Sequence, residues 1–287
     1  EKKHNLTGWA FLAPATFLIA VFSFWPMIKA LVLSFQTGKG RNMQMAGFTN
    51  YIRMFQDDVF IQSIKNTFFY FILQVPIMLV VALVLACILN KKDLRFKGFF
   101  RTMIFVPCTT SLVAYSIIFR SLFANDGLVN YVLVNLGILD KPYNFLTQPF
   151  AAKMVILLGL LWRWTGYNMV FFLSGLQNIE YSVYEAAKID GASAIQTFFK
   201  ITVPLLKPTI LLTAIMSTNG TLQLFDESIN LTDGGPANAS ISMSHYIYNL
   251  CFKYVPNFGY AAAMSFFILL LVAVLAFIQM RVGDKRD

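Results

Sequence analysis

The chain has 287 residues, of which 57% are hydrophobic and only 13% charged, and a formal net charge of +9. A soluble domain would carry about 25% charged residues, so the composition argues against one. The basic residues sit beside apolar runs, which points to the positive-inside bias of membrane proteins and away from nucleic acid.

Taken in order, the apolar runs predict six membrane spans, at residues 8–35, 66–89, 102–123, 151–176, 205–231 and 258–280. The chain opens at Glu1, so a native start upstream is expected. The first run is too long for a signal-peptide core and reads as a retained span. Pro14, Pro26, Pro76 and Pro107 fall inside spans, which packed membrane helices tolerate. Cys87 and Cys108 lie in apolar runs and Cys251 outside them, so no disulfide framework is expected.

Lysine and arginine set the orientation. Lys2, Lys3, Lys91, Lys92, Arg95, Lys97, Arg101, Lys188, Lys200, Lys207, Arg281, Lys285 and Arg286 fall on one side of a six-span drawing. That side is the cytoplasm. Lys39, Arg41, Arg53, Lys141 and Lys253 remain on the other, so the bias is clear without being absolute. The expected architecture is one all-α transmembrane domain over residues 1–287, with both termini and the loop 178–204 cytoplasmic.

That loop has helical punctuation of its own. Ser182 and Glu185 have capping-box spacing, Asp190-Gly191 supplies a stop, and Ser193 with Gln196 repeats the box. Val203-Pro204 and Lys207-Pro208 are expected to close the second helix. Two short helices joined by a tight turn suit a groove on another protein. The bland reading of Glu185 is a cap, and that of Gly191 a turn.

The run Glu185-Ala186-Ala187, two residues, Asp190-Gly191-Ala192, eight residues, then Ile201-Thr202-Val203-Pro204 resembles the EAA loop of binding-protein-dependent ABC importer permeases. The pattern usually ends I-x-L-P, and Val203 stands here for leucine. The whole chain resembles the carbohydrate-uptake branch, the relatives of maltose and glycerol-phosphate permeases. The resemblance implies a type I importer fold in the bacterial cytoplasmic membrane. Glu185, Ala186, Ala187, Asp190, Gly191, Ala192 and Pro204 would then dock on a separate ATPase dimer holding ATP and magnesium. It also implies a second related permease and an external sugar-binding protein as partners. Thr232-Asp233-Gly234-Gly235-Pro236 resembles the family's outer T-x-G-G-P segment, which implies a place near the binding protein and the gate.

Span four carries Trp162, Arg163, Trp164, Tyr167 and Asn168, and span five carries Asn219 and Gln223 followed by Asp226 and Glu227. Aromatic faces stack on sugar rings and amides bind hydroxyls, so Trp162 to Asn168 with Asn219, Gln223 and Asp226 are candidates for a sugar path. Helix packing and an interfacial aromatic belt are the competing uses. Asp226 and Glu227 read as interfacial, being near the expected outer end. Tyr246, Tyr248, Phe252 and Tyr254 read as an aromatic anchor, and Gly259 with Ala263 as a close-packing pair.

No G-x-x-x-x-G-K-[ST] is present, so ATP hydrolysis is expected elsewhere, and no catalytic residue is proposed. With only His4 and His245 as histidines, no metal site is expected. An ion-coupled secondary transporter would need buried mid-membrane carboxylates and an inverted repeat. A non-transporting scaffold would leave Arg163 and its aromatic neighbours unexplained.

Overall fold

The computed structural model describes residues 2–39, 42–91 and 93–283. Gly40, Arg41, Lys92, Lys285 and Arg286 lie outside the described residues, as do the side chains of Lys2, Lys3, His4 and Lys39. The chain begins with α1 (Lys2–Ile19), which contains Pro14, and α2 (Trp25–Ser34), which has Pro26 in its first turn, joined by a π-turn at Ala20–Phe24. A small antiparallel hairpin follows, β1 (Gln36–Lys39) against β2 (Asn42–Met45), with Gln36 opposite Met45. This hairpin departs from the all-α expectation.

Next come α3 (Thr49–Met54), α4 (Asp58–Asn90), α5 (Lys97–Thr109), α6 (Leu112–Leu122), α7 (Leu128–Asn135) and α8 (Pro149–Gln177). The loop helices are α9 (Tyr181–Ile189), α10 (Ala194–Thr197) and α11 (Val203–Leu205), and then α12 (Lys207–Leu222), α13 (Met243–Tyr248) and α14 (Phe258–Gly283) follow.

Among the described residues, four helices are long and apolar enough to cross a bilayer: Thr7–Ser34, Asp58–Asn90, Pro149–Gln177 and Phe258–Gly283. Two bent pairs make six if each pair is one span. The expected third span is broken: α5 and α6 meet at 98°. Pro107 sits in the last turn of α5, and Thr110 is extended at its end. The expected fifth span is broken too, with Ala194–Leu205 and Lys207–Leu222 meeting at 70°. Val203-Pro204 therefore does not close the second loop helix. A π-turn at Phe198–Thr202 carries that helix through to Leu205, and the bend falls at Leu206 instead. The helix after the bend stops at Leu222, well short of residue 231.

The chain divides into two units. In the first, residues 1–61 with 246–269, Asn50 Nδ2 donates to the carbonyls of Ser34 (2.9 Å) and Gln36 (2.8 Å), capping α2 where the hairpin begins. A Cβ at Gly259 would run into the Gln36 carbonyl oxygen, which explains the small residue at that crossing. The Asp57 carboxylate caps α4 by accepting from the N–H groups of Val59 (2.9 Å) and Phe60 (3.2 Å). It also accepts from the hydroxyls of Tyr246 (2.7 Å) and Tyr260 (2.8 Å). Tyr246 is thus buried and hydrogen-bonded, not a membrane-surface anchor, whereas Phe252 is 71% exposed.

In the second unit, residues 62–245 with 270–287, one core packs Ala82, Ala86 and Leu89 of α4 against Met169, Phe172 and Leu176 of α8 and Leu206. A second packs Tyr70, Tyr115, Phe119, Ile156, Leu160 and Leu231. A Cβ at Gly166 would strike the Ile104 carbonyl, so glycine lets the backbones of α5 and α8 touch. Arg101 reaches back to the Leu89 carbonyl at 3.3 Å, near the C-terminus of α4, where a cation is favourable.

Candidate functional site

The second unit holds a half-open cavity of about 300 Å³. Gln74 and Met78 of α4, Trp164, Tyr167 and Asn168 of α8, and Met216, Ser217, Gly220 and Thr221 of α12 line it. Gln223, Asp226 and Glu227 close it where α12 has ended. The four-residue spacing on α8 places Trp164 and Asn168 on one face. The Trp164 and Tyr167 rings pack edge to face with centroids 5.8 Å apart.

A hydrogen-bond network sets the polar wall. Asn168 Nδ2 donates to the Trp164 carbonyl at 3.0 Å, and its Oδ1 accepts from Ser217 Oγ at 3.2 Å. Thr221 Oγ1 is 2.8 Å from Gln74 Oε1. These bonds tie α8 and α4 to α12 and hold the side chains in fixed orientation, as a buried polar group requires. The walls offer hydrogen-bond donors, acceptors and aromatic faces.

Of the expected path residues, Trp164, Tyr167, Asn168, Gln223 and Asp226 line the cavity, while Trp162, Arg163 and Asn219 do not. Trp162 packs outside it, against Tyr115 and Phe119. Asn219 Oδ1 accepts from Gln223 Nε2 at 2.5 Å and so positions a lining residue. Arg163 serves the break between α5 and α6. Its Nη1 donates to the Thr110 carbonyl at 2.8 Å and lies 3.5 Å from that of Pro107. Its guanidinium also lies over the Tyr115 and Trp164 rings, at 5.3 and 5.5 Å from the centroids. A helix end exposes carbonyls that need donors, and here an arginine from a neighbouring helix supplies one.

Glu227, expected near the outer interface, is 4% exposed within the protein, while Asp226 is half-buried. Gln74 and Met78 were not singled out from sequence, whereas Ser217 and Thr221 belong to a polar stretch of span five that reads either as helix-to-helix hydrogen bonding or as a solute pathway. Gln74 and Thr221 stand 147 positions apart, and no local pattern joins them.

The segment Thr232-Asp233-Gly234-Gly235-Pro236 is folded back on itself. Thr232 Oγ1 is 2.7 Å from Ser240 Oγ, which donates to the Gly235 carbonyl at 2.5 Å. Asp233 and Gly234 take positive φ of 50° and 75°. A Cβ on Gly234 would press on His245 and Ile241 at 3.3 Å. Buried Ser228 Oγ lies 2.9 Å from His245 Nδ1, and Asn66 Nδ2 donates to the Ile241 carbonyl at 2.9 Å. Asn66, Ser228, Ser240 and His245 thus set the shape of this segment, and sequence reasoning missed them.

In the 178–204 loop, the Ser193–Gln196 capping box is present, with bonds of 2.8 and 3.3 Å. The Ser182–Glu185 box is not. The first helix starts at Tyr181 with Glu180 as its N-cap, and Ser182 Oγ donates to the Glu180 carboxylate at 3.3 Å. Glu185, Ala186, Asp190 and Pro204 are exposed, while Ala187 is buried at 6%. Gly191 takes φ +77° with open space around it. Ile189 and Ile195, on either side of this turn, are 86% and 72% exposed.

Residues 58–286 match the family model described as binding-protein-dependent transport system inner membrane component. The chain is 51% identical, over its whole length and 97% of the relative's, to the lactose transport system permease protein LacF of Rhizobium radiobacter. It is 31% identical over 96% of its length to the arabinooligosaccharides transport system permease protein AraP of Bacillus subtilis, covering 88% of that protein. A crystal structure of a bacterial alginate ABC transporter, in complex with an alginate pentasaccharide-bound periplasmic protein, contains a chain that superposes with a TM-score of 0.86. That match covers 99% of this chain and 96% of the other, at 25% identity. The chain belongs to the family of inner membrane components of binding-protein-dependent transport systems.

Proposed function

We propose that this chain is a permease subunit of an ATP-driven sugar importer of the oligosaccharide type. It forms half of the translocation path as a single transmembrane domain of six spans, each bent pair counting as one, with both termini in the cytoplasm. A second related permease completes the path. An external binding protein delivers the sugar, and a separate ATPase dimer, holding ATP and magnesium, drives the cycle. The loop from Glu185 to Pro204 docks on that ATPase, and Thr232–Pro236 lies near the delivery side.

The cavity carries the sugar reading. It combines the faces of Trp164 and Tyr167 with the amides of Gln74, Asn168 and Gln223, the two kinds of contact that a ring bearing hydroxyls needs. The names of LacF and AraP, both sugar transport permeases, support the same class. For the loop, the support is its exposure and its left-handed glycine turn, which together present Glu185, Ala186 and Asp190 to a partner.

Purification through this chain tests the proposal. It should co-isolate a second permease and an ATPase, and a reconstituted complex should import a neutral oligosaccharide only with ATP and a binding protein. Uptake driven by a proton or sodium gradient without ATP would refute it.

A further inference from the structure

The cavity wall carries two acids and no lysine or arginine among its lining residues. The Asp226 carboxylate makes no hydrogen bond or ion pair with another described residue, and it is half-buried against the cavity. Its neighbour Glu227 is 96% buried, lines the same cavity, and has an Oε1 with no hydrogen-bond partner. The Trp164 indole and the backbone N–H of Glu227 donate to the Glu227 carboxyl and the Tyr115 hydroxyl faces it, yet Oε1 keeps no partner. Arg163 lies within electrostatic range of Glu227, but its Nη1 is committed to the Thr110 carbonyl. A buried carboxyl oxygen without a partner is costly unless a ligand supplies what the protein withholds.

We propose that Asp226, set beside the buried Glu227 carboxyl, makes this cavity select uncharged sugar units over acidic ones. The inference rests on the cavity being the sugar path, as proposed above. A carboxylate accepts two hydrogen bonds in parallel, which matches the adjacent hydroxyls of a neutral ring. A uronate unit brings a further carboxylate up to Asp226, where like charges a few ångströms apart repel strongly and no lysine or arginine lines the wall. Asp226 is the contact residue. Glu227, buried behind it, holds the Trp164 side of the wall.

The complex purified through this chain, reconstituted in lipid nanodiscs without any external binding protein, is titrated calorimetrically. The probes are a neutral disaccharide and its counterpart oxidised at C6 to a carboxylate. The neutral sugar should bind at least about tenfold more tightly. Asp226→Asn, at the more exposed position, should narrow that ratio several-fold, because it removes charge and keeps shape. Equal binding of both sugars by the wild type, or an unchanged ratio in this variant, overturns the proposal. Binding of neither sugar by the wild type refutes the sugar-path reading itself, a result distinct from sugar binding without charge discrimination.

Discussion

Arg163 Nη1 donates to the carbonyl oxygen of Thr110 over 2.8 Å, so a cation on α8 closes the open end of α5. Thr110 Oγ1 turns back to the Pro107 carbonyl at 2.7 Å, which leaves the Thr110 carbonyl itself to the arginine. Replacing Arg163 by methionine should cost about 1.5–3 kcal/mol, the range for a hydrogen bond to a charged group. Lysine should recover only part of this, because an ammonium lacks the planar fork that also lies on Tyr115 and Trp164. Thermal unfolding in detergent measures both. An Arg163→Met protein as stable as wild type would show that the break needs no such cap.

The cavity wall makes a second prediction. Trp164→Ala removes an aromatic face and should weaken sugar binding at least tenfold, equivalent to about 1.4 kcal/mol or more. Asn219→Ala should act less strongly, since Asn219 only positions Gln223. Sugar affinity of the reconstituted complex is the readout. Equal losses in the two variants would mean that the cavity geometry does not rank these residues.

Asp57 gives a pH prediction. Burial alone would raise its pKa, but the hydroxyls of Tyr246 and Tyr260 and the N–H groups of Phe60 and Val59 together outweigh it and hold the pKa below the ordinary value. A depressed carboxylate contributes stability that is present above the unfolded pKa and lost as pH falls through the folded one. The stability difference between wild type and Asp57→Asn should be constant from pH 7 down to about pH 5 and shrink below roughly pH 4. Unfolding measured across this range checks it. A difference that grows on acidification would contradict the assignment.

Topology can be read by labelling. With Cys87, Cys108 and Cys251 replaced, a cysteine at Ser193 should react only with reagent on the cytoplasmic side, and one at Asn238 only with reagent outside. Reaction of Ser193→Cys from outside would remove the six-span arrangement.

What the sequence revealed depends on the range of each interaction. The Ser193–Gln196 box was legible because both partners lie within four residues and the chain enters that helix from a tight turn. The same spacing at Ser182 and Glu185 failed because Asn178 ends α8 and brings the chain back into a helix already at Tyr181, leaving Ser182 inside the first turn. Hydropathy located each apolar run but averages over windows wider than a kink, so the breaks at Thr110 and Leu206 were invisible to it. The aromatic and amide character of Trp164, Tyr167 and Asn168 was visible as composition. Their division of labour with Arg163 was not, because it is set by a carbonyl 53 positions away.

The central claim is that residues 185–204 couple this membrane chain to a separate ATPase. Gly191 takes φ +77° in open space, so aspartate there meets no internal clash; it brings local backbone strain of about 1–2 kcal/mol and a new charge on an exposed turn. Glu185→Lys reverses charge on the same exposed surface. The direct measurement is ATP hydrolysis by the reconstituted complex with sugar-loaded binding protein, compared between wild type, Gly191→Asp and Glu185→Lys at matched assembly in the membrane. The account predicts strong stimulation in the wild type and its loss in both variants. Full stimulation in both variants would show that the loop is a solvated connector and would contradict the account.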